Sequence, residues 1–174
     1  MSEPDVPTVT IHPGESRLVR GRTLFKTLLG SCLGITFRVS RLELGAMCHP
    51  MLPLAPDIEA EHPTGNQRFV DVALRSMIRK LTKQGARRDE IEVKLFGCCD
   101  VLDFDNGRVT VGSMNARTAL RVLAEEGVLP VTQETGGPCG VVILFDSGTG
   151  EVLLRRLPRF REESTQLRAG KHVR

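Results

Sequence analysis

The chain has no tryptophan and no tyrosine, and aromatic residues make up only 4% of it. Proteins that read single-stranded nucleic acid hold bases on stacking side chains, so no nucleic acid is expected as a partner. No apolar run approaches the roughly 18 residues that a bilayer-crossing helix needs, so no membrane insertion is expected. The opening Met1-Ser2-Glu3-Pro4-Asp5 is acidic and has no apolar segment behind it. It does not read as a signal peptide, and a cytoplasmic location is expected. No Cys-x-x-Cys knuckle is present, and the five cysteines, Cys32, Cys48, Cys98, Cys99 and Cys139, are an odd number. That count does not fit a secreted disulfide framework and leaves free thiols or metal ligands. An excess of one charge is also missing from most of the chain. Residues 1–158 carry 19 basic and 19 acidic side chains, and the net charge of +3 comes from a tail with five basic and two acidic ones.

What is present is 174 residues, 40% hydrophobic and 26% charged, enough for one domain with a real core. Residues 1–7 hold two prolines and read as a flexible start; residues 8–158 read as the domain and 159–174 as a basic tail. Strands are expected over Thr8–His12, Leu24–Leu29 and Cys32–Val39, with a return over Leu42–Met47. The prolines of Met51-Leu52-Pro53-Leu54-Ala55-Pro56 end regular structure there, and residues 56–66 read as a polar loop. The strongest helical period runs over Gln67–Gln84, with Val70, Leu74, Met77, Ile78 and Leu81 on one side and Gly85 as its stop. Arg75, Arg79, Lys80 and Lys83 make a basic opposite face. Ile91–Leu95 alternates as a strand, and Asp105-Asn106-Gly107 reads as a turn. Val109–Gly112 reads as a brief strand, followed by a helix over Ala116–Glu126 that Ser113 or Asn115 would cap. The apolar stripe of that helix is Ala116, Ala119, Leu120 and Leu123. Strands over Val128–Gln133, Val141–Phe145 and Glu151–Leu157 complete a mixed α/β (α+β) pattern with more strands than helices.

Chemistry concentrates at Gly30-Ser31-Cys32 and at His49. Small residues beside a cysteine leave room for a second molecule to reach the sulfur. A histidine within hydrogen-bonding reach can take the thiol proton and return it to a leaving amine. Seventeen residues separate the two, a spacing that a strand-turn-strand return can close. Thr27 or a backbone carbonyl could hold the imidazole. The amides of Ser31, Cys32 or Leu33 could face an oxyanion. Buried packing is the plainer reading of any one cysteine. A zinc site built from Cys32, Cys48, His49 and Cys98 or Cys99 is the chemical rival.

Thr27-Leu28-Leu29-Gly30-Ser31-Cys32, Gly45-Ala46-Met47-Cys48-His49-Pro50-Met51-Leu52-Pro53, Lys94-Leu95-Phe96-Gly97, Val111-Gly112-Ser113-Met114-Asn115, Glu134-Thr135-Gly136-Gly137 and Thr149-Gly150-Glu151-Val152 together resemble the bacterial chemoreceptor glutamine deamidase family, CheD. The resemblance covers roughly residues 8–158. It implies a single layered domain of mixed β-sheets with flanking helices. It also implies deamidation of glutamines on the cytoplasmic helices of methyl-accepting chemotaxis receptors, with methyl-ester hydrolysis in some members. Cys32 would be the nucleophile and His49 the general base, with no metal and no cofactor. Gly30, Ser31, Leu33, Gly97 and Cys98 fall where the oxyanion site and substrate groove would be. A CheC-like phosphatase is a further implied partner, and an adaptor with little catalytic activity is the alternative reading. Three positions depart from the family pattern. The best-known members place a catalytic threonine six residues before the cysteine, where this chain has Lys26, with Thr27 one residue later. Cys98-Cys99-Asp100 replaces a Gly-Ala type segment, and Pro138-Cys139 replaces more polar residues.

Overall fold

The computed structural model describes residues 5–56, 66–100 and 108–158. Among the described residues, nine strands form two sheets. Strands β1 (Thr8–Thr10), β3 (Leu24–Leu29), β8 (Val141–Asp146) and β9 (Val152–Arg156) lie in the order β1-β3-β8-β9. Strands β2 (Ser16–Arg20), β4 (Leu33–Val39), β5 (Leu44–Cys48), β6 (Glu92–Gly97) and β7 (Pro130–Thr135) lie in the order β2-β5-β4-β6-β7. Helices α1 (Val70–Lys83) and α2 (Val111–Glu125) pack on the five-stranded sheet. No described helix is long and apolar enough to cross a membrane.

Side-chain alternation builds two core layers. On β4, Leu33, Ile35, Phe37 and Val39 join Leu74, Met77, Ile78 and Leu81 of α1 in the layer between sheet and helices. Between the sheets, Phe25, Leu29, Ile143 and Phe145 meet Met47 and Phe96. The period-two rule puts residues of opposite parity on opposite faces. Thus β5 sends Cys48 to the helix side and Met47 to the inter-sheet side.

Most expected elements form, with shifted ends. α1 starts at Val70, three residues later than its period suggests, and Gly85 (φ 95°) lets the chain leave the helix in the left-handed conformation. The short strand expected at Val109–Gly112 does not form, because Thr110 caps α2. The Thr110 hydroxyl accepts from Ser113 N–H at 3.1 Å, and the Thr110 N–H donates back to Ser113 Oγ at 3.0 Å. The helix therefore begins five residues before the expected Ala116, and neither Ser113 nor Asn115 is the N-cap. Its buried face carries Asn115, Thr118, Ala119, Val122 and Leu123, whereas Leu120 is exposed. β2 had no sequence signal, since Arg17 and Arg20 break its apolar pattern. It forms as an edge strand paired with β5. The Asp105-Asn106-Gly107 turn, most of the loop over 56–66 and the basic tail lie outside the described residues.

Candidate active site

The site sits at one end of the inter-sheet layer. β4 and β5 pair antiparallel with Ile35 opposite Cys48. Continuing that register sets Gly34 opposite His49 and Leu33 opposite Pro50, and Leu33 N–H donates to Pro50 O at 3.0 Å. By parity, Cys32 and Gly34 share the inter-sheet face with His49. Cys32 and His49 are then diagonal cross-strand neighbours, a relation that long side chains span across roughly 7–8 Å of backbone. The strand-turn-strand return expected from the sequence is the one the chain makes.

Two short backbone bonds clamp His49. Its N–H donates to Glu15 O at 2.9 Å, and its carbonyl accepts from Gly14 N–H at 2.7 Å. The facing sheet supplies Thr27, which points inward while Lys26 stays exposed. Alternation put these two on opposite faces, as expected, and it is the threonine five residues before Cys32 that meets the histidine. Thr27 Oγ1 lies 2.9 Å from His49 Nδ1 and donates its own proton to Ile11 O at 2.6 Å. A hydroxyl has one proton to give. With that proton committed to Ile11, Thr27 can only accept from Nδ1–H, so Nδ1 is protonated and Nε2 carries the lone pair. Ile11 O lies 3.4 Å from Nδ1. His49 is 1% exposed, and Nε2 has no hydrogen-bond partner among the described residues.

Electrostatics keep the resting pair neutral. Burial pushes the His49 imidazolium below its ordinary 6.5. The carbonyl of Ile11 and the charge of Glu15 oppose that shift, and His12 reinforces it. Burial likewise pushes the half-buried Cys32 thiol above 9.0, against a smaller lowering by its own backbone N–H. Near pH 7 the thiol keeps its proton and the imidazole is bare.

The loop carrying Cys32 is held through its carbonyls. Cys99 N–H donates to Gly30 O at 2.8 Å, and Cys98 N–H donates to Cys32 O at 2.8 Å. Asn115 Nδ2 donates to Ser31 O at 3.0 Å. Leu33 N–H is spent on Pro50, which removes Leu33 from the oxyanion candidates. Neither Ser31 N–H nor Cys32 N–H donates to a backbone carbonyl among the described residues. Gly97 (φ 90°) lies directly behind, where an added Cβ would stand 2.6 Å from Cys32 O. Gly97→Ala combines strain at positive φ with that clash, and we expect it to cost about 1–3 kcal/mol by urea unfolding and to depress any Cys32-dependent turnover.

Cys98, expected beside the groove, and its neighbour Cys99 show almost no side-chain surface. Both are buried, Cys98 in the helix-side layer at φ 53° and Cys99 in the inter-sheet layer. They act on the site through their amides. Cys48 is also in the helix-side layer, across the sheet from Cys32 and His49. The proposed zinc ligands are therefore split between two faces, and no group of three or more candidate ligands comes together among the described residues. Burial pushes Cys48 and Cys98 up to about 12. The unfolded thiols ionise near 9.0 while the folded ones hold their protons. Stability is therefore intact below pH 9 and falls above it, by about 1.4 kcal/mol per thiol per pH unit. Urea midpoints at about pH 8 and about pH 10 should show the fall, and Cys48→Ala should make it smaller.

Of the other residues singled out, His12 is exposed, Cys139 is half-buried, and His62 and His172 lie outside the described residues. Arg75, on the basic face of α1, bridges α1 to α2 through Glu125 and Glu126. Asn115 is the residue whose placement at the site the sequence concealed, because Gly-Ser-x-Asn at a helix start looks like capping.

Two stacked sheets with helices on one side thus carry, at the end of the inter-sheet layer, a half-buried thiol and an imidazole held by a hydroxyl. Residues 51–156 match the family model described as CheD chemotactic sensory transduction. The chain is 32% identical to the "Probable chemoreceptor glutamine deamidase CheD" of Maridesulfovibrio salexigens over 91% of this chain and 96% of that protein. It is 35% identical to "Probable chemoreceptor glutamine deamidase CheD 2" of Geobacter sulfurreducens over 92% and 97%. A similarly named protein of Pyrococcus horikoshii is 32% identical over 86% and 92%. The chain belongs to the CheD family.

Proposed function

We propose that the chain hydrolyses the side-chain amide of glutamine on the cytoplasmic helices of chemotaxis receptors, with Cys32 as nucleophile, His49 as base and Thr27 as the group that orients His49. The observation that carries this reading is the Ile11–Thr27–His49 chain of hydrogen bonds, which leaves a bare, unpartnered Nε2 on the same face as the Cys32 thiol. The names of the relatives support the substrate.

The steps balance as follows. Nε2 takes the Cys32 proton as sulfur adds to the carboxamide carbon, and the carbonyl oxygen gains the negative charge. The Ser31 and Cys32 amides face that oxygen. The C–N bond breaks, the imidazolium gives its proton to nitrogen, and ammonia leaves a Cys32 thioester. Nε2 then deprotonates a water that attacks the thioester, which yields glutamate and returns the proton to sulfur. A methyl ester at the same position would form the same thioester with methanol leaving, so methyl-ester hydrolysis belongs to the same site.

A receptor cytoplasmic fragment incubated with the protein tests the reading by mass. A gain of about one mass unit at defined glutamines is expected, reflecting replacement of amide NH2 by OH. No gain with several receptors, together with tight binding to one of them or to a CheC-like phosphatase, would replace this reading with that of an adaptor. Thr27→Val removes the acceptor of Nδ1–H but leaves Ile11 O at 3.4 Å as a poorer one. We expect kcat to fall about tenfold, or ~1.4 kcal/mol, measured by ammonia release.

A further inference from the structure

Three successive carbonyls around the nucleophile, those of Gly30, Ser31 and Cys32, are each held by one donor. Two of the donors are backbone amides. The third is the side chain of Asn115, which is 0% exposed on the buried face of α2.

Both hydrogens of the Asn115 amide are used. Nδ2 donates to Ser31 O and to Met51 O, each at 3.0 Å. Because both partners are acceptors, the amide orientation is fixed. One side chain thus ties the residue before the nucleophile to the second residue after the base. Oδ1 is left buried with no partner among the described residues. An unsatisfied buried carbonyl destabilises the fold. A residue chosen only to pack this helix would not carry it, so the position is set by what Nδ2 holds.

We propose that Asn115 is a positioning residue for the reaction at Cys32: by holding the Ser31 carbonyl it fixes the plane of the Ser31–Cys32 peptide and thereby directs the Cys32 N–H at the developing oxyanion. The inference rests on the thioester reading above. The peptide unit is planar and trans, so its C=O and N–H point in opposite directions. Anchoring the Ser31 oxygen on α2 turns the Cys32 hydrogen away from α2. The same geometry, applied to Gly30 O on Cys99 N–H, orients the Ser31 N–H. The two amides without backbone acceptors are therefore the two whose directions are set by anchored carbonyls. Only the Asn115 anchor can be removed by substitution without altering the backbone. That Cys32 N–H also bears on its own sulfur follows from the lowering it exerts on the thiol. Gly112, in the first turn of α2, abuts Cys98 O, where an added Cβ would stand at 2.5 Å. The helix start that carries Asn115 is thereby seated against the loop it holds.

Asn115→Leu tests this, since it keeps the branched outline and the number of heavy atoms, removes both donors and removes the unpartnered acceptor. Asn115→Ala is the second variant, in case the branched side chain does not fit. Deamidation kinetics are measured per folded, titratable Cys32. We expect kcat to fall about 100-fold, the loss typical of one weakened oxyanion donor, with KM within about twofold. The rate of Cys32 alkylation by iodoacetamide at fixed pH should fall as well. A purely structural role would lower the urea midpoint and the folded fraction but leave kcat per folded molecule and alkylation rate unmoved; that result overturns the proposal. Cys32→Ala is assayed in parallel. If it keeps turnover, the thioester reading fails; if it is inert while the Asn115 variants keep full kcat, only the positioning role fails.

Discussion

Cys32→Ala should reduce receptor deamidation by roughly 10³-fold or more, while leaving receptor binding and the unfolding midpoint close to those of the parent protein. The sulfur is half-buried at the rim of the inter-sheet layer, so its loss opens no large cavity. The expected size follows from the chemistry. Without the thiol no covalent intermediate forms, and a water bound near His49 must attack an amide, which is a far poorer electrophile than a thioester. Ammonia release under saturating receptor fragment measures the effect. A decrease of less than about tenfold would remove Cys32 from the mechanism.

His49→Ala should cost about 10³-fold near neutral pH, within the range for loss of a general base, and its pH dependence should be more telling than its size. Cys32 ionises above 9.0 without help. With the base gone, turnover depends on spontaneous thiolate, so residual activity should climb about tenfold per pH unit until that ionisation is passed. In the parent protein the acid limb should fall below pH 6.5, because burial holds His49 neutral to lower pH than a free imidazole. Iodoacetamide alkylation of the unliganded parent protein should keep rising past pH 9. A rate that levels off below pH 7 would show a stored thiolate–imidazolium pair and contradict the neutral pair described above.

Much of this is legible in the sequence, for identifiable reasons. The 3.6-residue period of Val70 to Leu81 and the alternation of Leu33, Ile35, Phe37 and Val39 report burial on one face. The alternation, with the return over Leu42–Met47, also points to the hairpin that brings His49 back toward Cys32. β2 was not legible, because edge strands need not alternate cleanly and Arg17 and Arg20 face solvent. The start of α2 is hidden in the sequence because Val109 to Gly112 has strand-like composition, whereas the reciprocal Thr110–Ser113 bonds set the boundary.

At the site, local pattern indicated a cysteine with small neighbours and a histidine at a closable distance. Alternation also separated Lys26 from Thr27, but the inward face depended on how the two sheets stack. Parity alone cannot say which side a second sheet will cover. Asn115 and the amides of Cys98 and Cys99 were hidden for a further reason. They act on Ser31, Gly30 and Cys32 across long sequence separations, and nothing in their local composition records those partners. The thiols of Cys98 and Cys99 are buried, and it is their amides that hold the carbonyls of Cys32 and Gly30.

The most direct test of the account is capture of the thioester itself. The protein is mixed with a glutamine-bearing receptor fragment, quenched in acid within the first turnover, and weighed intact. The account predicts a conjugate whose mass is the sum of the two chains less one ammonia, linked at Cys32, released by hydroxylamine and missing from Cys32→Ala. Sustained deamidation with no conjugate at any quench time, and with Cys32→Ala as active as the parent, would contradict it.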